Sequence, residues 1–317
     1  MGITDKILKF YRENDHLSPN KPKFPQAEGF LSTSNGASFI NSNPGIGDIL
    51  SVLHLPKLLK GRPNFQVCSQ QPELFDKIAK YNKDVDLPNV IQGELFRVEL
   101  LQDYNLGGGH FFQNIQKALG LDIDYKPKAD LEVPGVKRQK DKVVINFHAG
   151  FDQIRQREEV HPRARELYPE HKETIQKFID NNKNRYHFVE VSAGSSYFNN
   201  VEDKCGMDID GSIEEIASCE YYLGIINGIM HIATALDLKC ITIINFPSAK
   251  QLYLPRLKNY DLPDLDWLYP QNVHLHEDDD GELVKYLSYD NLEKAFAGDV
   301  YPFWKKDWMD YRDIWVF

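Results

Sequence analysis

A chain of 317 residues is longer than one hydrophobic core usually organises, and its 42 % apolar content suffices for two domains. The net charge of −10 argues against the broad basic footprint of a non-specific nucleic-acid binder. The opening MGITDKILKFYREN is charged where a secretory leader is apolar, and no run reaches the ~18 apolar residues of a membrane span. A cytoplasmic enzyme without membrane insertion is therefore the expectation.

The first half alternates strand and helix. Ser38 to Asn41 reads as a strand end, and Gly47 to Leu59 as a helix with apolar Ile49, Leu50, Leu53 and Leu58. Phe65 to Cys68 is strand-like, Pro72 to Tyr81 helical, Asn89 to Ile91 a short strand, and Phe111 to Leu119 a helix. This rhythm implies a mostly parallel sheet. Residues 122–142 are rich in proline and charge, and they read as an interdomain linker between domains at 1–130 and 140–297.

The second half repeats the rhythm. Val143 to Phe147 is a β-branched strand, Pro169 to Asn181 a helix and Tyr186 to Val191 a strand. Ser212 with Glu215 has the spacing of a capping box. Tyr221 to Ile226 reads as a strand, Gly228 to Leu236 as a helix and Cys240 to Phe246 as a strand. Two α/β domains of this kind hold a ligand at the carboxyl ends of their strands, in a cleft between them. Cys68, Cys205, Cys219 and Cys240 form no C-x-x-C pair and are expected to be reduced and structural, with no zinc site. The acidic run His276 to Glu282 reads as a solvated turn, lacking the spacing of a calcium loop.

Three segments carry candidate chemistry. A strand ending in Asn227-Gly228 and opening a helix turns free N–H groups and the positive end of a dipole toward a ligand. His231 sits one turn further on. In NPGIGDIL, Gly45 and Gly47 precede a helix whose first turn holds Asp48. The polar loop after Val143–Phe147 has Gly150, then Arg155, Arg163 and Arg165, whose guanidinium groups suit phosphate oxygens. The glycines 107–109 lack the lysine of a P-loop and read as a mobile loop, with His110 a candidate acceptor contact. NPGIGDI does not complete the dinucleotide fingerprint, which argues against a nicotinamide oxidoreductase.

Residues 212–247 resemble the carboxy-terminal signature of the heptosyltransferase-like GT-B glycosyltransferases (glycosyltransferase family 9), through Asn227, Gly228, His231, Ile232, Ala233, Ala235 and Leu236. Residues 43–59 resemble the same family's amino-terminal Gly-x-Gly-Asp motif. The resemblance implies an α/β GT-B fold, two Rossmann-like domains facing a central cleft, with a C-terminal tail (298–317) packing back on the first. It implies an inverting, metal-independent transfer from a nucleotide-diphosphate sugar to a glycan or other hydroxyl. A nucleic-acid acceptor is not favoured. Beyond the donor, which is a co-substrate, no cofactor is implied. Asp48 is the implied general base, with Gly47 beside the acceptor. Asn227, Gly228, His231, Gly150 and one of Arg163, Arg165 or Arg155 are implied at the donor diphosphate. Glu190 or Ser192 is implied at the ribose, and Gly211 at the base. The chain departs where the family's serine or threonine is Asn227 here, and where its aspartate is Ile226. That substitution favours an alternative, a protein that binds the donor but has lost transfer.

Overall fold

The computed structural model describes residues 38–41, 45–54, 66–69, 71–83, 90–92, 128–148, 167–244, 269, 271–277 and 285–299. The chain forms two compact units that divide between Leu131 and Glu132.

The first unit holds a parallel sheet of β1 (Ser38–Asn41), β2 (Gln66–Ser69) and β3 (Val90–Gln92), in that order. Helix α1 (Ile46–Leu53) buries Ile49, Leu50 and Leu53, and α2 (Pro72–Ala79) buries Phe75, Ile78 and Ala79. These are the one-sided spacings that the sequence suggests. The helix expected to run to Leu59 ends at Leu53. Pro56 accounts for this, since it has no N–H to give and disfavours helical backbone at the residue before it. Asn82 then closes the end, donating from Nδ2 to the carbonyl of Leu53 at 2.9 Å.

The stretch expected to be a linker is fastened along its described part. Ala129 and Leu131 are buried, and the Asp130 carbonyl accepts from the Lys83 N–H at 2.9 Å. Beyond the boundary, the Arg138 guanidinium donates to the carbonyls of Leu236 and Asp237.

The second unit is a seven-stranded parallel sheet. Its strands are β4 (Lys142–Asn146), β5 (His187–Glu190), β6 (Glu202–Asp203), β7 (Tyr221–Ile225), β8 (Lys239–Ile244), β9 (Val273–His276) and β10 (Lys285–Tyr286). Their spatial order is β10-β9-β8-β7-β4-β5-β6. The chain runs outward from β4 to β6, returns to the other side of β4 as β7, and runs outward again. That is the doubly wound order, with its switch point between β4 and β7.

The helices are α3 (Pro169–Asn182), α4 (Ile209–Ala217), α5 (Gly228–Ala235) and α6 (Tyr289–Ala297). Strand residues alternate between faces. Val143, Ile145, Leu223, Ile225, Ile241, Ile243, Val273 and Leu275 meet Ile175, Phe178 and Ile179 of α3, and Leu292, Ala295 and Phe296 of α6. The Phe178 and Phe296 rings pack with centroids 4.8 Å apart. This face is apolar. The face toward α5 carries Asn146, Tyr222, Thr242 and His274 instead, all buried. Burial pushes the thiols of Cys219 and Cys240 up to about 12, and Cys205 up to about 11, so they act as small neutral groups.

Helix α4 starts before the expected capping box. Its N-cap is Asp208, whose Oδ1 accepts from the Gly211 N–H at 2.8 Å, and Ser212 lies inside the helix, buried. An aspartate caps as well as a serine and stands four residues earlier, so the helix starts there. Asp208→Ala is therefore expected to cost about 1 kcal/mol in urea unfolding, and Ser212→Ala well under that; equal effects would contradict the assignment. No helix among the described residues is long and apolar enough to cross a membrane.

Candidate functional site

The switch point brings together the carboxyl ends of β4 and β7. Asn227 follows β7 in extended backbone (φ −163°) and is the N-cap of α5. Its side chain is used at both ends. Oδ1 accepts from the Met230 N–H at 3.0 Å. Nδ2 donates to the Asn146 Oδ1 and to the His148 carbonyl, the latter at 3.0 Å. Asn146 in turn donates from Nδ2 to the Val191 carbonyl beyond β5. One row of amides therefore fastens the ends of β7, β4 and β5 to one another. Beneath it runs Tyr222, wholly buried, whose hydroxyl donates to the Ile225 carbonyl at 2.8 Å. Burial holds that phenol well above its usual range, so it stays protonated. The ring crosses the space above Gly224, which leaves no room there for a Cβ.

Asn227 is thus a scaffold residue that fixes where α5 begins. Ligand-facing capacity lies in the backbone after it. Among the described residues, the N–H groups of Gly228 and Ile229 have no hydrogen-bond partner, and both residues are partly exposed. Two N–H groups at the positive end of a helix suit an anion.

His231, one turn along, is buried. Its Nδ1 lies 2.8 Å from the Tyr269 hydroxyl, and the two rings meet edge to face with centroids 5.3 Å apart. The Tyr269 carbonyl accepts from the Asn272 N–H at 3.0 Å and from the His274 Nε2 at 2.9 Å. Asn272 also donates from Nδ2 to Thr234 Oγ1 at 3.0 Å. Burial pushes the His274 imidazole down to about 4, so it is neutral near pH 7.

At the β5 end, Glu190 is wholly buried on the α3 side of the sheet, the side of Phe188. Its Oε2 accepts from Ser196 Oγ at 2.8 Å and from the N–H groups of Tyr197 and Phe198 at 2.8 and 3.2 Å. In this structure it anchors a loop. Ser192 Oγ donates to the Cys205 sulfur at 3.2 Å and accepts from the Gly194 N–H at 3.1 Å. The same loop carries Tyr197, which meets the His148 ring edge to face at 5.3 Å and lies under Lys172 Nζ at 3.7 Å. Gly211 lies in the first turn of α4, its N–H taken by Asp208.

Gly150, Arg155, Arg163, Arg165 and His110 lie outside the described residues, as does the tail beyond Asp299. Gly47 and Asp48 fall in the first turn of α1, and the Asp48 side chain is also outside them. Sequence reasoning missed Asn146, His148 and Tyr269. The first two had a usable signal, an asparagine and a histidine ending a strand beside the glycine-bearing loop. Among the described residues no cluster of His, Cys, Asp or Glu could hold a metal ion. A cavity of about 380 Å³ lined by Lys140, Lys183, Arg185, His187 and Glu202 lies at the amino edge of β4 to β6, the end opposite the switch point.

No protein-family model matches the chain, and no curated protein does. Solved structures match its fold. The heptosyltransferase WaaC of E. coli, with ADP, has a TM-score of 0.53 at 13 % identity, over 83 % of this chain and 99 % of that one. A family 9 glycosyl transferase from Veillonella parvula has a TM-score of 0.51 at 11 % identity, over 82 % and 96 %. The dodecameric iron-containing glycosyltransferase TibC of enterotoxigenic E. coli has a TM-score of 0.46 at 14 % identity over 65 % of this chain, which spans 57 % of TibC. The first two share the α/β GT-B architecture with this chain.

Proposed function

We propose that the chain is an inverting glycosyltransferase that moves a sugar from a nucleotide-diphosphate donor to an acceptor hydroxyl. The observation that carries this reading is the start of α5: two unpartnered N–H groups at the switch point of a doubly wound sheet. As the bond between the anomeric carbon and the leaving oxygen breaks, negative charge grows on the diphosphate. Preorganised N–H groups stabilise that charge more in the transition state than in the bound donor. Two solved structures of the same fold are glycosyltransferases, and one of them holds ADP.

In this reading one of Arg163, Arg165 or Arg155 adds charge at the diphosphate with Gly150 beside it, His231 contacts the donor, and the loop anchored by Glu190 presents Ser192 toward the ribose. Gly211 borders the base. Asp48 takes the proton from the acceptor hydroxyl as its oxygen attacks the anomeric carbon, a single displacement that inverts the centre. Gly47 and His110 border the acceptor, a glycan or other hydroxyl compound. The reaction is cytoplasmic and needs no metal, so a chelator leaves turnover unchanged.

Thermal unfolding against a panel of ADP-, UDP- and GDP-sugars tests the reading. The donor stabilises the native state by about 2.7 kcal/mol at a hundred times its Kd, and so raises the melting temperature. Asp48→Ala leaves that shift intact and removes transfer. A panel without any shift contradicts the reading, and undiminished transfer by Asp48→Ala contradicts the base. Ile226, buried where the resembling family has a carboxylate, favours a second reading in which the donor binds without turnover. A clear thermal shift with neither transfer nor donor hydrolysis would select it.

A further inference from the structure

We infer that the cavity at the amino edge of β4 to β6 is a second anion site, one that takes a small phosphate monoester. It is separate from the proposed donor site, which lies at the carboxyl end of the same sheet.

Two segments far apart in sequence build its wall. The turn Lys140-Asp141 leads into β4, and residues 183–186 join α3 to β5. The two are tied directly, because the Asp141 carbonyl accepts from the His187 N–H at 3.0 Å. The Asn182 carbonyl accepts from the N–H groups of Arg185 and Tyr186 at 2.9 and 2.8 Å, which turns the chain back after α3. Asp141 takes the left-handed backbone (φ 64°) that aspartate tolerates better than most residues. The Arg185 guanidinium rests over the ring of buried Tyr186, 4.9 Å from its centroid. The wall is therefore set before a ligand arrives.

The charges around the cavity are unevenly matched. Among the described residues, the ammonium groups of Lys140 and Lys183 have no hydrogen bond and no carboxylate at ion-pair distance. Glu220, whose carboxyl feels Lys140, is engaged by Lys239 at 2.6 Å and by the Asp141 N–H at 3.0 Å. Arg185 has Glu293 at 4.0 Å, and the other oxygen of Glu293 accepts from Asn182 Nδ2 at 2.7 Å. Glu202 is shared between His187 and Lys204, each at 2.8 Å. Asp141 is left as the lining carboxylate without a cation. Lys140, Lys183 and Arg185 thus crowd one hollow, on a chain whose net charge is −10. A bound anion relieves their repulsion. A phosphate dianion suits this wall, because its oxygens accept from several directions, from the fork of a guanidinium as from an ammonium. The volume of about 380 Å³ is that of a small-ligand pocket.

The test is amide NMR on the full chain during titration with methyl phosphate, above its second ionisation near about pH 6. The amides of Asp141, Asn184, Arg185 and His187 are expected to shift in a saturable way. Lys183→Gln combined with Arg185→Gln is expected to weaken that binding by about tenfold or more, with ADP affinity unchanged. Asp141→Asn keeps a residue that tolerates the left-handed backbone and removes the opposing charge. It is expected to tighten binding by about threefold, which a merely structural role for this turn would not produce. Cosedimentation with phosphatidylcholine vesicles containing phosphatidic acid separates the sources of the same group: pelleting that the double variant abolishes assigns a lipid headgroup, and shifts without pelleting assign a free ester. Methyl phosphate shifts confined to Gly228 and Ile229, no shifts at all, or equal affinity in wild type and the double variant overturns the inference.

Discussion

Asn227→Asp is expected to leave the cap of α5 in place and still destabilise the protein by about 3–5 kcal/mol, because it buries an unpaired charge. The aspartate retains an acceptor for the Met230 N–H and is as good an N-cap as asparagine. What it loses is the donor at Nδ2. An anionic oxygen would then face the Asn146 Oδ1 and the His148 carbonyl, both acceptors, in a position only 8 % exposed. The same charge stands one residue before the N–H groups of Gly228 and Ile229, where it would occupy their field and repel a diphosphate. Urea unfolding and ADP titration measure the two effects. Asn227→Ser, which keeps an acceptor and adds no charge, is expected to lose about 1–2 kcal/mol. Equal stability of the aspartate variant and wild type would show that the amide row does not fasten the strand ends.

Gly224→Ala is expected to be at least as severe. A Cβ at this position would stand 2.1 Å from the Asn146 carbonyl oxygen and 2.4 Å from the Tyr222 hydroxyl. The first is backbone of the neighbouring strand, paired with Gly224 itself, so relief requires β4 and β7 to part at the switch point. Overpacking that the backbone cannot absorb destabilises by more than about 3 kcal/mol. Removing the hydroxyl in a Tyr222→Phe background relieves only the second contact, and little recovery is expected. A Gly224→Ala protein that unfolds at the wild-type urea concentration would contradict this.

Much of the second unit is legible in the sequence because its strands are short apolar runs bounded by turn residues. Its strand limits fell within two residues of those expected for β4, β5, β7 and β8. Three strands and a helix were missed, for different reasons. Val273–His276 alternates valine and leucine with histidines that prove to be buried, a pattern that looks half-solvated. Glu202–Asp203 and Lys285–Tyr286 are too short to carry a period. Helix α6 had signals that went unread: Ser288 as N-cap, and Gly298 in the left-handed region (φ 83°) closing the end. At the site, Asn227 as a helix start was readable from local chemistry. The pairing of His231 with Tyr269 was not, since 38 residues separate them and only the strand order brings them together. The role of Glu190 was also not readable, because strand parity alone does not say which face is the apolar one.

Titration of ADP into wild type and Gly228→Pro tests the central claim most directly. Gly228 is the first residue of α5, where proline fits and where the helix makes no use of the N–H. The extended backbone of Asn227 suits a residue before proline. The substitution therefore removes one proposed phosphate donor and leaves the helix intact. The account predicts that wild type binds ADP, and that Gly228→Pro binds it at least about tenfold more weakly with its melting temperature unchanged. Equal affinity in the two proteins, or no ADP binding by wild type, would contradict it.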